Sequence, residues 1–350
     1  MIIKFNSKLH LKSKEEAKKN TAIVQIITAP EGGGAEFIAR KLTKELNQKG
    51  FNSFILYFSN PRNIKLYKWE FVLKTNSSRS FKNIFYLKKK IDIIKKNYKK
   101  IIIHTHLTWP FFYISFLKNR NSIVKIHTEH NTFNKRRLFP LFRYLENFLY
   151  KRFDYIIFIS KSTKKNLENW IGEPIPQHKG KVIYNGSRSF KISLNKPNQK
   201  GKIRIISIGS LTYQKGFDIA IKAISLCKDK VEKYSIYGDG PEKSKLQKLI
   251  KKLNLENKVI LKGYEPNIDK VNLNYDLALI PSRWEGFGLV AIEFLSAGIP
   301  VIASSIEGLK EILKECNAAT LITEINECNF AEEIKKQNLI NFSIKKLIKY

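Results

Sequence analysis

Two blocks of short apolar runs, each alternating with longer amphipathic runs, limit the fold more than any other feature of this chain. In the first block Ala22–Thr28 (AIVQIIT) is a strand-like run ending at Glu31-Gly32-Gly33-Gly34. A helical pattern follows over Ala35–Gln48, with Phe37, Ile38, Leu42 and Leu46 on one stripe and Gly50 as its stop. Phe54–Phe58 is the next strand candidate, and Lys100–His104, Ser122–Thr128 and Tyr155–Ser160 are further short β-branched runs. Asn185–Lys202 is polar, rich in Gly, Pro, Ser and Asn, and reads as a linker. The pattern then restarts with strands Arg204–Ile208, Tyr234–Tyr237, Val259–Leu261, Leu277–Ile280 and Val301–Ala303. Helices Phe217–Cys227, Glu242–Leu253 and one containing Glu293–Ala297 fall between them, and Ala331–Tyr350 reads as a basic helix. Strands separated by helices require crossover connections, hence parallel sheets covered on both faces. The expectation is an α/β chain of two Rossmann-like domains, residues 1–186 and 203–350, joined by a linker at 187–202.

Composition bears on partners more than on fold. Lys+Arg 64 against Asp+Glu 30 gives a formal net charge of +34, which attracts nucleic acid, anionic lipid or nucleotide-type substrates. An AT-rich coding sequence would give the same lysine excess without any such partner. At 43% hydrophobic the chain is not disordered by composition. Cys227, Cys316 and Cys328 form no CxxC, so a reducing cytoplasm is the simplest compartment. The first twenty residues have no apolar h-region and no 18-residue apolar run occurs, so neither a secretory signal nor a spanning helix is expected. Membrane contact would then be peripheral.

Four constellations carry chemistry. The turn Gly32-Gly33-Gly34-Ala35-Glu36 joins a strand to a helix, where backbone and ligand can approach closely and helix N–H groups face a phosphate. It is not a P-loop, and a tight strand–helix turn is the alternative. His104-Thr-His106 and His127-Thr-Glu129-His130 each end a predicted strand, where ligands gather in open α/β sheets. Their spacing lacks the i, i+4 helical pattern of a zinc site, which favours hydrogen bonding over metal binding, with a structural role open for His104. Gly209-Ser210-Leu211-Thr212-Tyr213-Gln214-Lys215-Gly216 can point a lysine at phosphate, or simply hold a solvated one, and Gly238-Asp239-Gly240-Pro241-Glu242 is a second such junction. Pro281-Ser-Arg-Trp-Glu285-Gly-Phe-Gly-Leu-Val-Ala-Ile-Glu293 is the most specific: two carboxylates eight residues apart flank a glycine turn that opens a helix. The alternative is that both are surface carboxylates.

With these motifs in order the chain resembles family-4 retaining glycosyltransferases of the GT-B fold, similar to those of lipopolysaccharide and capsule synthesis. The resemblance runs from about Ile23 to about Ile322 and rests on GGAE, TEHN, FDYIIFISKST, VIYNG, GSLTYQKG, IYGDGPE, the glutamate pair and SAGIPVIAS. It implies two Rossmann-like domains facing a central cleft, with the acceptor side in the N-terminal domain and the nucleotide sugar in the C-terminal one. It implies that Glu285 contacts the donor sugar, Glu293 the ribose, and the amides of Phe287, Gly288, Leu289 and Val290 the sugar and diphosphate. Gly33 and Gly34 would line the cleft, His130 would hydrogen-bond near the donor sugar with His127 as second choice, and Gly238 would lie close by. Lys215 would hold the diphosphate. Ser210 departs from the family, whose arginine there supplies a second cation; Arg204 or Arg283 is the suggested substitute. The family's terminal crossing helix is expected to be short here.

The implied reaction is transfer from a nucleotide sugar, UDP-linked in most members, to a cell-surface glycan or lipid-linked acceptor, with retention. No Asp-x-Asp occurs, so no metal and no cofactor are expected, and Lys215 with helix N-termini would stabilise the leaving diphosphate. The alternatives are another GT-B activity such as a nucleotide-sugar epimerase or a phosphorylase, a basic nucleic-acid-binding protein, and an inactive scaffold. The chain carries no zinc, RRM or KH signature, so no nucleic-acid partner is expected. Phe81–Lys100 and Thr132–Arg152 mix basic with aromatic and aliphatic residues, so an anionic membrane surface is the expected partner of a cytoplasmic, peripheral enzyme.

Overall fold

The computed structural model describes residues 15–73, 75, 77–118, 121–132, 134–188, 190, 201–268 and 274–337. The chain folds into two compact units, one of Met1–His130 with Asn134–Tyr184 and another of Asn131–Phe133 with Asn185–Tyr350. Each unit is built on one parallel sheet. The first contains β1 (Thr21–Ile27), β2 (Asn52–Tyr57), β3 (Glu70–Val72), β4 (Lys100–His106), β5 (Ile123–Glu129), β6 (Tyr155–Phe158) and β7 (Gly180–Val182), in the order β3-β2-β1-β4-β5-β6-β7. The second contains β8 (Ile203–Ile208), β9 (Val231–Tyr237), β10 (Val259–Gly263), β11 (Leu277–Ile280), β12 (Val301–Ser304) and β13 (Ala319–Ile322), in the order β10-β9-β8-β11-β12-β13.

Alternation of side chains explains the layers. β1 sends Val24 and Ile26 to one face, among Ile101, Ile103 and Phe111, and Ile27 to the other, against Ala39 of helix Gly34–Gln48. In the second sheet Leu277 and Leu279 join a core with Ile221 and Phe330, while Ala278 and Ile280 face Phe294 and Leu309. Burial of both faces accounts for near-continuous Val/Ile/Leu runs in place of polar alternation.

The strand order reverses between β1 and β4, and again between β8 and β11. At such a point the connections leaving the two neighbouring strands diverge to opposite faces, opening a crevice at the carboxyl ends.

Several elements differ from the sequence expectation. β4 continues to His106 and β5 to Glu129, so most of the histidine-bearing residues lie within strands. β6 stops at Phe158 because the Ser160 hydroxyl accepts from the Thr163 N–H at 3.1 Å and caps helix Lys161–Ile171. Helix Thr108–Ser115 is too uniformly apolar to show a helical stripe, and Pro110 fits its first turn. The last described helix is Glu327–Lys336, capped by Asn326. Residues 338–350 of the expected terminal basic helix, and 189 and 191–200 of the expected linker, lie outside the described residues.

One glycine fixes the loop after β8. Gly216 has φ +65°, and a Cβ there would sit 1.9 Å from the Pro281 carbonyl oxygen. Gly50 has φ +81° with open space around it. Gly50→Ala should therefore cost only the left-handed penalty of about 1–2 kcal/mol, and Gly216→Ala clearly more. Denaturant unfolding of both variants checks this; equal losses would show that the close approach to Pro281 carries no energy.

Candidate functional site

In the second unit the reversal brings the segment after β8 beside the segment after β11. The contact is dense. The Arg283 N–H donates to the Gln214 carbonyl at 2.8 Å, and Gln214 Nε2 donates to the Trp284 carbonyl at 3.0 Å. The Arg283 guanidinium lies 3.8 Å over the Tyr213 ring and forks onto Asp218 at 2.9 and 2.6 Å. This clamp sets Lys215 against Glu285: Nζ donates to Oε1 at 2.5 Å, and Ser282 Oγ donates to the same oxygen at 2.9 Å. Glu285 is 7% exposed, so it is no surface carboxylate.

Glu293 is the fifth residue of helix Leu289–Ser296 and is 2% exposed. Arg188 Nε donates to its Oε1 at 2.9 Å. Both carboxylates singled out in the sequence are thus buried, each against a cation. Gly288, at φ +88°, starts the helix, and a Cβ there would meet Leu309 Cδ2 at 2.4 Å. A Cβ on Gly308 would come 2.4 Å from the Glu285 carbonyl oxygen, so that glycine seats the Glu285 backbone. Leu289 and Val290 form the first turn, where amides have no intrahelical acceptor. Phe287 is buried. Gly238 has φ +149°, and its Cβ would strike the Gly209 oxygen at 1.9 Å; its need for glycine comes from this close backbone approach.

The suggested substitutes for the cation missing at Ser210 are committed elsewhere. Arg204 forks onto Asp276 at 2.9 and 2.7 Å, and Arg283 onto Asp218. The second cation beside the carboxylate pair is Arg188. Sequence reasoning passed over it, although it stands in Asn185-Gly186-Ser187-Arg188, next to the VIYNG motif.

In the first unit Gly33 precedes helix Gly34–Gln48 in extended conformation. Three residues on, Glu36 reaches back: Thr28 Oγ1 donates to its Oε1 at 3.2 Å. Burial raises the pKa of Glu36, and hydrogen bonding opposes the rise. The carboxylate thus lies at the start of its own helix, held by Thr28.

The histidines divide between the two faces of the sheet. Strand register sets Gln25 beside His104 and His106 beside Thr128, all on one face. There His104 Nε2 meets Thr128 Oγ1 at 2.7 Å, His106 Nδ1 meets His130 Nε2 at 3.0 Å, and His106 Nε2 meets Gln25 Oε1 at 2.8 Å. Thr105 and His127 pair on the opposite face, with Oγ1 to Nδ1 at 2.9 Å. His127 packs there among Phe111, Tyr150 and Phe153. The sequence ranked His127 second to His130 as a cleft residue; its place is in the core. Burial lowers the pKa of all four histidines, to about 3 for His104 and His127 and about 4 for His130. Each is neutral near pH 7. Among the described residues no group of three or more His, Cys, Asp or Glu is arranged to hold a metal ion.

Comparison with known proteins gives the family of the chain. The family described as glycosyl transferases group 1 matches residues 190–341, and Glycosyltransferase Family 4 matches residues 32–187. The uncharacterized glycosyltransferase MJ1607 of Methanocaldococcus jannaschii is 34% identical over 174 residues, 45% of this chain and 44% of that protein. The O-antigen biosynthesis glycosyltransferase WclY of Escherichia coli is 32% identical over 188 residues, 49% of this chain and 51% of that protein. These matches span about half the length of the two relatives. The crystal structure of Anabaena Alr3699/HepE in complex with UDP and glucose is similar in fold, with a TM-score of 0.72 and 20% identity over 89% of this chain and 88% of that one. The two family matches together take in every strand of both sheets except β1, and the chain belongs to the family-4, group-1 glycosyltransferases of GT-B fold.

Proposed function

We propose that the protein moves a sugar from a nucleotide-sugar donor, UDP-linked, to a cell-surface glycan or lipid-linked acceptor, with retention of anomeric configuration. The observation that carries this reading is the pair of buried, cation-matched carboxylates Glu285 and Glu293 beside the β8–β11 reversal. Glu293 is assigned to the ribose hydroxyls and Glu285 to the donor sugar. Lys215 has three N–H donors and gives one to Glu285, so the same ammonium can serve a diphosphate oxygen. The leaving diphosphate gains negative charge in the transition state. Lys215 and the amides from Phe287 to Val290 are assigned the stabilising role. They supply positive charge, so the reaction is expected to run without a divalent cation. In the first unit His130, with Gly33 and Gly34, is assigned to the substrate. The O-antigen role in the name of WclY supports a surface-glycan acceptor.

Hydrolysis of a panel of UDP-, GDP- and CMP-sugars in EDTA tests the donor class, and NMR of the released sugar tests retention. Free sugar of retained configuration from a UDP-sugar is expected; an epimerised nucleotide sugar, or no turnover of any donor, would overturn the reading. On the active donor, Glu285→Gln should lower kcat strongly and leave UDP affinity nearly unchanged, since UDP has no sugar. Glu293→Gln should raise the donor KM and weaken UDP. Lys215→Ala should weaken UDP by about 10- to 100-fold, the scale of a charged hydrogen bond. Near wild-type behaviour of all three variants would remove the site assignment.

The acceptor reading brings a membrane surface with it. Among the described residues no helix is long and apolar enough to cross a membrane. Phe81 and Phe85 are nevertheless 80% and 75% exposed, beside exposed Lys82, Lys88 and Lys89 on helix Lys82–Asn97. Leu87 and Ile91 of the same helix go to the core. A second group, Leu138, Phe139, Leu141, Tyr144 and Phe148, is exposed around helix Leu141–Lys151 with Arg143 and Lys151. Apolar side chains ringed by bases suit an anionic leaflet, where each basic residue contributes about 1 kcal/mol. Co-sedimentation with phosphatidylglycerol-containing vesicles should exceed that with neutral phosphatidylcholine at low salt, and Phe81→Ser/Leu141→Ser should reduce it. Equal binding to both lipids would contradict the membrane partner.

A further inference from the structure

Gln25 is a polar residue in the middle of an otherwise apolar buried strand, fully enclosed, and no step of the proposed reaction uses it. Its position in β1 sets it beside β4 at the point where the strand order reverses. Its Oε1 can only accept, so His106 Nε2, 2.8 Å away, carries the proton of that imidazole. Burial keeps His106 neutral, with one N–H to give. Nδ1 of His106 is then a lone pair, and the His130 Nε2 lying 3.0 Å from it must be the donor. The His104 ring, 4.3 Å from that of His106 and tied to Thr128 at 2.7 Å, holds the middle imidazole in place. His130 is neutral as well. With its proton on Nε2, its Nδ1 is a bare acceptor.

Resting on the glycosyltransferase reading above, we infer that Gln25 acts through His106 as a positioning residue: it fixes His130 as the Nε2–H tautomer, so that His130 offers Nδ1 to a substrate hydroxyl as an acceptor. The arrangement has a direction, and the amide sets it. Gln25 Nε2 is buried without a hydrogen-bond partner. Were the amide turned over, Nε2 would donate to His106, each imidazole would shift its proton to Nδ1, and His130 would present a donor. A donor suits a carbonyl or phosphate oxygen; an acceptor selects an O–H. The single amide therefore decides which substrate group His130 can recognise.

The test is a long-range 1H–15N correlation spectrum of protein labelled with 15N-histidine, which reads the protonated nitrogen of each ring. His106 and His130 should each appear as one Nε2–H tautomer in the wild type. In Gln25→Leu both should become tautomer mixtures. On the fastest donor of the panel kcat should then fall about tenfold, the scale of one lost hydrogen bond, with KM within about twofold. Gln25→Glu keeps an acceptor at Oε1 and should restore the Nε2–H tautomers and much of kcat. An Nδ1–H on wild-type His130, or unchanged tautomers in a folded Gln25→Leu protein, overturns the inference. The wild-type spectrum decides the first point even where a variant fails to fold. Nε2–H tautomers in a protein that turns over no nucleotide sugar would remove the transfer reading and leave the hydrogen-bond chain standing.

Discussion

The carboxylate of Glu285 is withdrawn from water, and a charge so placed must be matched nearby or the fold loses several kcal/mol. The match comes from Lys215 and Ser282, and Lys215 is seventy residues away in sequence. Only the strand order brings the two together, because β8 and β11 are neighbours across the reversal of the second sheet. The surrounding loop contacts secure the same meeting. Arg283 binds Gln214 and Asp218, Gly216 lies on Pro281, and Gly308 lies beneath Glu285. Removing one partner of a buried ion pair costs about 3–5 kcal/mol, whereas an exposed pair is worth about 0–1. The Lys215–Glu285 pair lies between these limits, with side-chain exposures of 22% and 8%.

The same accounting separates the chain's interior from its net charge of +34. Buried acids are individually matched. Glu70 takes Arg40 and Tyr57, Glu146 takes Arg136 and Trp170, and Asp276 takes Arg204. Alongside Glu70 and Glu146 the first unit also buries a group of neutral imidazoles, kept uncharged by burial and joined by hydrogen bonds. Much of the remaining positive charge lies on exposed lysines such as those of helix Lys82–Asn97, where it governs association and leaves the core untouched.

Strand positions and the carboxylate pair were legible because each rests on a local pattern. Short apolar runs mark β1, β8 and β11, the first two rich in β-branched residues and followed by a glycine turn, and Glu285 and Glu293 flank a Gly-Phe-Gly turn. What escaped depends on non-local register. His127 and His130 are three residues apart, but strand alternation sends His127 into the core while His130 joins His106. Arg188 was hidden because nothing in its own segment points to Glu293, 105 residues further on. Gln25 did carry a signal, a lone amide within TAIVQII, but its meaning required the β1–β4 register. Three-residue strands such as β3 and β7 are too short for any periodicity to register.

If the buried carboxylates and their cations form a nucleotide-sugar site, UDP must bind against them. A crystal structure of the protein with UDP tests this most directly. Ribose hydroxyls should be hydrogen-bonded to Glu293, and diphosphate oxygens should lie within reach of Lys215 Nζ and the amides of Leu289 and Val290. UDP bound away from Glu293, or bound there with Lys215 turned from the diphosphate, would contradict it.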